Sequence, residues 1–293
     1  MPSISPGAYR ESVSGAKSGS PIVVFSEVDG VLRAPHTHAF TTAAAVFKQL
    51  CFDDTALVLC SGKTRAELEF VQQRLDITQP FICENGAAVI IPNGYFDFPV
   101  ANSRGVAGCQ AVEFGRPYAE VVDMLHRTAD RLRIELVAFS DMSIEEVARE
   151  RRLPLLQARL AKLRDYEELF RLVDPSSSAR ARLFKALEGV NLRGWEVGRF
   201  DRVGAPIAGA AGVNVLTGLY QRSRGDVITV GVTDTTSDDN LVRLMNHVIM
   251  VPSDEASGQP IDVVDWAERI VDRVKELCGQ YTTSARGVMT RDM

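Results

Sequence analysis

No apolar run in this sequence approaches the roughly 18 residues that a membrane-spanning helix needs, so its 45% hydrophobic content points to a folded interior. Cysteine is sparse and unpatterned: five residues, at 51, 60, 83, 109 and 278, include no CxxC pair. An odd count does not close a disulfide framework, so reduced thiols in a cytoplasmic protein are expected. Positive charge is not in excess either. With 33 Lys and Arg against 38 Asp and Glu, the formal charge is -5, unlike the strongly basic surface of a nucleic-acid binder. The first twenty residues are rich in Ser and Gly and hold no apolar segment, which argues against a secretory signal and for a tail. What is present is an ordinary globular composition, and 293 residues suggest about two domains, each able to bury a core.

The first strong element is Pro21-Ile22-Val23-Val24-Phe25, short, continuous and β-branched, followed by Glu27-Val28-Asp29-Gly30. Such a run reads as a central parallel strand delivering polar groups at its carboxyl end. A helix is expected over 41–50. Ala56-Leu57-Val58-Leu59-Cys60 reads as a second buried strand, running into Ser61-Gly62 and a capped amphipathic helix over 64–75. This alternation predicts a right-handed βαβ sheet. Phe81-Ile82-Cys83 and Ala87-Ala88-Val89-Ile90-Ile91 flank Glu84-Asn85-Gly86, and Asn-Gly is a favoured tight-turn pair.

The parallel pattern then lapses. Helical segments are expected over 118–131, 143–149, 155–163 and 179–187, separated by strand-like pieces. The first style returns at Val227-Ile228-Thr229-Val230-Gly231-Val232, with Thr233-Asp234 opening another acidic turn. A helix over 238–245, a strand over 247–251 and a helix over 263–278 follow. The expected organisation is a tail (1–20), a core built from 21–103 and 203–280, an inserted α+β cap (104–202) and a second tail (281–293). Between Arg149 and Arg202 there are 13 Lys and Arg against 8 Asp and Glu, a surplus of five positive charges. A salt-bridged helical surface explains that by default, and a basic lid attracting an anionic small molecule is the functional alternative.

Glu27 and Asp29 follow the first strand, and Asp234 and Asp238 the last long one. In open α/β sheets ligands bind at that edge. Clustered carboxylates repel, and a hard divalent cation such as Mg2+ neutralises them most simply.

Phe25-Ser26-Glu27-Val28-Asp29-Gly30-Val31-Leu32 and Cys60-Ser61-Gly62-Lys63-Thr64-Arg65-Ala66-Glu67 resemble the first two motifs of the haloacid dehalogenase (HAD) superfamily, and within it the mannosyl-3-phosphoglycerate phosphatase family. Pro80-Phe81-Ile82-Cys83-Glu84-Asn85-Gly86-Ala87, Arg164-Asp165-Tyr166-Glu167-Glu168-Leu169-Phe170 and Gly198-Arg199-Phe200 are similar to later stretches of that family. Thr233-Asp234-Thr235-Thr236-Ser237-Asp238 stands at its last acidic motif. The resemblance implies an α/β fold, a Rossmann-like parallel-sheet HAD core with an inserted cap, and magnesium-dependent hydrolysis of a phosphorylated sugar or glycerate. It assigns Glu27 to the nucleophile position, Asp29 to acid/base work and Ser61 to phosphate binding. Glu27, the Asp29 carbonyl, Asp234 and Asp238 would hold Mg2+. Gly62, Lys63, Arg65, Asn85, Arg164, Tyr166 and Arg199 would face substrate, with no nucleic acid or membrane as partner.

The chain departs from the family pattern at several points. Glu27 replaces the aspartate nucleophile, Val31 replaces a threonine, Thr233 a glycine and Ser237 an asparagine. Ala208-Gly209-Ala210-Ala211-Gly212-Val213 carries no lysine where the family has one. Lys63 or a cap arginine is a candidate replacement for that charge. The alternative function is a catalytically silent homologue binding a phosphorylated metabolite or a protein partner. His36 and His38 form a weaker candidate metal pair, and Trp195 a candidate stacking platform, although an aromatic in a mixed cap is more often core.

Overall fold

The computed structural model describes residues 9–11, 20–29, 31, 48–49, 55–206, 210–233, 243–251 and 267–278. Asp234, Asp238, His36 and His38, the helix expected over 41–50 apart from residues 48–49, and Ala208-Gly209 lie outside the described residues.

In chain order the elements are β1 (Tyr9–Glu11), β2 (Ile22–Glu27), β3 (Ala56–Cys60), α1 (Arg65–Leu75), β4 (Phe81–Cys83), β5 (Ala88–Pro92), β6 (Ser103–Val106) and β7 (Cys109–Glu113). Then come α2 (Tyr118–Leu132), β8 (Leu136–Ala138), α3 (Ile144–Arg151), α4 (Leu155–Ala161), β9 (Glu168–Leu172), α5 (Ser177–Glu188), β10 (Arg193–Val197) and β11 (Phe200–Gly204). The chain continues through α6 (Ala210–Arg224), β12 (Ile228–Thr233) and β13 (His247–Met250) to α7 (267–278).

Among the described residues one sheet has nine strands in the order β1-β13-β12-β2-β3-β4-β5-β7-β6. Strands β13, β12, β2, β3 and β4 are parallel neighbours, as the β-branched runs predict. The reason lies in β2, whose residues bury both ways. Ile22 and Val24 enter one apolar layer with Leu68, Val71 and Leu75 of α1 and Ile270, Val274 and Leu277 of α7. Val23 and Phe25 enter the opposite layer with Val213, Leu216 and Tyr220 of α6. A strand covered by helices on both faces has no polar alternation to show.

Two differences from the sequence expectation concern the sheet's ends. Residues 9–11, placed in the tail, pair antiparallel with β13. Strands β6 and β7, on the cap side of the expected boundary at 104, hydrogen-bond into the nine-stranded sheet through β5. These short segments show no periodicity of their own, because the strands they join set their pairing.

The second sheet is antiparallel, in the order β10-β11-β9-β8. Phe170, Leu172 and Val203 pack against Val121 and Leu125 of α2 and Leu183 and Leu187 of α5. Helix starts follow the capping residues. Thr64 and Ser143 each complete a reciprocal capping box, with Glu67 and Glu146. No helix among the described residues is long and apolar enough to cross a membrane.

Candidate active site

The carboxyl ends of β2, β3, β4 and β12 converge, and each delivers a different kind of group. After β2 come Glu27 and Asp29. The β2–β12 register sets Val232 beside Ser26, so Thr233 falls next to Glu27, and its Oγ1 donates to Glu27 Oε2 at 2.5 Å. After β3, Lys63 returns its Nζ to within 2.8 Å of Asp29 Oδ2. The Lys63 side chain is 11% exposed and that of Asp29 62%, so the lysine is sheltered and the aspartate stays open to solvent.

The loop carrying Ser61, Gly62 and Lys63 is fixed by the turn after β4. Ser61 N donates to Ile82 O, Asn85 N to Ser61 O and Glu84 N to Lys63 O, all at 3.0–3.1 Å. Ser61 Oγ accepts from Lys63 N at 3.2 Å. A Cβ at position 62 would stand 2.8 Å from Nδ2 of the Asn85 side chain, so any larger residue there requires Asn85 to move. Glu84, Asn85 and Gly86 all adopt positive φ. This is natural for Gly and tolerable for Asn, but costs Glu84 roughly 1–2 kcal/mol.

What offsets that cost is an unusual environment for Glu84. The side chain is fully buried, yet its carboxylate accepts the backbone N–H groups of Asp165 (2.8 Å), Tyr166 (3.1 Å) and Glu167 (2.8 Å). Burial pushes its pKa up, opposed by Arg164 and by these amides. Arg164, only 2% exposed, donates Nε to Glu167 O at 2.7 Å and Nη2 to Gly62 O at 3.2 Å. It lies 3.5 Å from Glu84 Oε2. Asn85 Nδ2 donates to Glu167 Oε2 at 2.7 Å, and Arg202 Nη1 is 3.5 Å from Glu167 Oε1. Desolvation pushes Glu167 up to about 7 against the pull of Arg202 and Arg164. A closed network of buried charges therefore joins the segment 164–167 to the loop after β3. Thr64 adds to it, its Oγ1 donating to Leu160 O at the end of α4.

Of the residues expected to face substrate, Gly62, Lys63, Asn85, Arg164 and Tyr166 thus come together around one junction. The Tyr166 hydroxyl is spent on Glu113 Oε1 at 2.6 Å, and its ring closes over Gly115, where a Cβ would lie 2.7 Å from the tyrosine Cβ. Arg65 stands on the first turn of α1, paired with Glu69 at 2.6 Å. Arg199 lies apart, in the β10–β11 hairpin, 64% exposed and bound to Glu150 Oε2 at 2.8 Å. Trp195 carries the Arg202 guanidinium over its ring at 4.2 Å and Arg193 at 5.4 Å. Four of the basic residues of this region, Arg164, Arg180, Arg199 and Arg202, have carboxylate partners.

Sequence reasoning missed Glu84, Glu167, Thr233 and Glu113 as site-forming residues. Glu84 and Glu167 lay inside stretches already marked by their resemblance. Nothing in the sequence indicates that Thr233 or Glu113 would meet a distant side chain. No group of three or more His, Cys, Asp or Glu side chains able to hold a metal occurs among the described residues.

Comparison with known proteins shows the family and the fold. A glucosyl-3-phosphoglycerate/mannosyl-3-phosphoglycerate phosphatase from Persephonella marina is 30% identical over 233 residues, covering 79% of this chain and 85% of that protein. The chain belongs to this phosphatase family. A second member, from Methanococcoides burtonii, is 26% identical over 264 residues, covering 86% of this chain and 97% of that protein. No family model matches. Among solved structures, a phosphatase of the haloalkanoate (HAD) superfamily from Bacteroides thetaiotaomicron superimposes with a TM-score of 0.59 at 14% identity, over 90% of this chain and 97% of its own. A HAD subclass IIB sugar phosphatase gives 0.53 at 13% identity, over 87% and 98%. The fold is the HAD fold, and as a member of this phosphatase family the chain is a HAD-type phosphoric monoester hydrolase.

Proposed function

We propose that the chain removes the phosphate from a glycosyl-3-phosphoglycerate, with Glu27 as nucleophile and Asp29 as acid and base. The observation that carries this reading is the pairing at the end of β2. Two carboxyl groups two residues apart sit in different environments, one bound to a buried hydroxyl and the other ion-paired to Lys63 and open to solvent. In the first step a Glu27 oxygen forms a bond to phosphorus while the ester P–O bond breaks, and the leaving oxygen takes the Asp29 proton. In the second, water attacks the same phosphorus as Asp29 takes its proton. The acyl P–O bond then breaks, releasing phosphate and restoring Glu27. Ser61 and Lys63 anchor the phosphate, whose transfer depends on positioning and charge neutralisation.

Glutamate at this position is compatible with turnover. Its extra methylene moves the attacking oxygen by about an ångström, a misplacement that can cost roughly a hundredfold. Phosphate-monoester hydrolysis is so slow uncatalysed that enzymes accelerate it by up to ~10²¹.

The donor set at the strand end is hard oxygen, the Glu27 carboxylate and the Asp29 carbonyl, which suits Mg2+. By the family pattern, Asp234 and Asp238 would complete the set. The ion would supply charge neutralisation at the phosphoryl oxygens. We assign the inserted unit to residues 114–205, since β6 and β7 belong to the large sheet. The described cysteines are free thiols, which supports a reducing, cytoplasmic setting.

The test is a phosphate-release assay on glucosyl- and mannosyl-3-phosphoglycerate with and without Mg2+, run beside Asp29→Asn. Release that needs the metal and is abolished by Asp29→Asn is expected. Silence of the natural chain on every glycosyl phosphoglycerate, with release appearing in Glu27→Asp, would show instead a silent homologue.

A further inference from the structure

We propose that Thr233 is the positioning residue for Glu27, holding Oε2 so that Oε1 is the oxygen presented to phosphorus. This rests on the phosphatase reading above and assigns a role to the non-acidic residue that opens the last acidic motif.

Three observations carry it. The Thr233 hydroxyl donates to Glu27 Oε2 at 2.5 Å, within the short range of an O–H donor on a carboxylate. Thr233 is fully buried and β-branched, so its χ1 is stiff and its hydroxyl has little freedom to leave. The parallel register fixes the two residues side by side at the ends of adjacent central strands. A glutamate has one more torsion than an aspartate between backbone and carboxylate, and a nucleophile gains only when that freedom is removed beforehand. The reach also matches. Shortening residue 27 by one carbon–carbon bond, about 1.5 Å, would withdraw the carboxylate from the hydroxyl. With Oε2 occupied, the lone pair on Oε1 makes the bond to phosphorus as the ester P–O bond breaks and Asp29 protonates the leaving oxygen. The Thr233 hydrogen bond persists through both steps.

The experiment is a kinetic double-mutant cycle. Thr233→Val, which keeps shape and removes the hydroxyl, should lower kcat roughly tenfold to a hundredfold and leave KM within about twofold. Thr233→Ser, which restores the hydroxyl, should recover most of kcat. In a Glu27→Asp background, Thr233→Val should change kcat by less than about twofold, since the hydrogen bond to residue 27 is already gone. Equal losses in the two backgrounds, or a serine variant as slow as the valine, would overturn the proposal by showing that position 233 acts through packing. If the natural chain releases no phosphate, the activity reading fails, and the clamp is then judged on unfolding alone. Thr233→Val and Glu27→Met should each lower the urea midpoint, and the double variant should fall no further than the larger single effect. Fully additive shifts would overturn the clamp.

Discussion

Lys63 Nζ sits 2.8 Å from Asp29 Oδ2, which places a sheltered positive charge at the strand end where the α6 segment supplies none. The lysine is brought there by the loop after β3, whose carbonyls are tied to the turn at Glu84 and Asn85. Backbone pairing fixes where the Lys63 main chain sits, and the sheltered side chain reaches Asp29 from there.

If that charge stabilises the transferring phosphoryl group, Lys63→Ala lowers kcat/KM by roughly 10² to 10³. Because Asp29 is mostly exposed, the protein itself loses little stability. Steady-state phosphate release and a melting curve check both halves. Unchanged rate and affinity in the alanine variant would assign the charge to another residue.

Breaking the buried network at the junction should be costly. Arg164→Met leaves Glu84 and Glu167 without their shared guanidinium, and removing one partner of a buried ion pair costs about 3–5 kcal/mol. The variant Glu84→Gln should cost less, and the double variant should cost less than the sum. Urea denaturation reads all three, and a loss below about 1 kcal/mol for Arg164→Met would contradict the energetic role.

The same network makes stability depend on pH. Glu167 is raised from its ordinary 4.5 to about 7, chiefly by burial. Between those values the folded state binds more protons than the unfolded chain, so stability falls as pH rises. The benefit is full below about 4.5 and is lost as pH passes about 7. Glu84, also raised by burial, acts in the same direction. Melting temperature should therefore decline across this window, and Glu167→Gln should flatten the decline. A slope unchanged in that variant would place the titration elsewhere.

Gly62→Ala tests how tightly the loop is fitted. The new Cβ would stand 2.8 Å from the Asn85 amide nitrogen, so Asn85 must shift and give up its bond to Glu167. The expected result is a lower melting temperature and lower kcat/KM. Adding Asn85→Ala should recover part of the melting temperature by removing the clash, a non-additivity that independent sites would not show.

Much of the architecture was legible in the chain itself. Continuous apolar runs at residues 22–25, 56–60 and 227–232 specify buried parallel strands, because a strand packed on both faces has no solvent side to encode. Helix starts at Thr64 and Ser143 were readable because capping is local chemistry within four residues. The segment 9–11 and strands β6 and β7 were misplaced because short strands at or next to a sheet edge take their identity from the strand they join.

The site divides along the same line. Sequence by itself determined the order of carboxylates, hydroxyl and lysine at strand ends, since those groups follow directly on strongly patterned elements. Only the tertiary structure decided which of them touch. Glu27 and Thr233, two departures from the family pattern, meet across neighbouring strands. Arg164, expected to face substrate, has its guanidinium enclosed between Glu84, Glu167 and Gly62. The physical reason is range. Hydrophobic periodicity and capping act over a few residues and are written in the chain, whereas the pairing of a buried charge depends on which distant backbone and side chains share its enclosure.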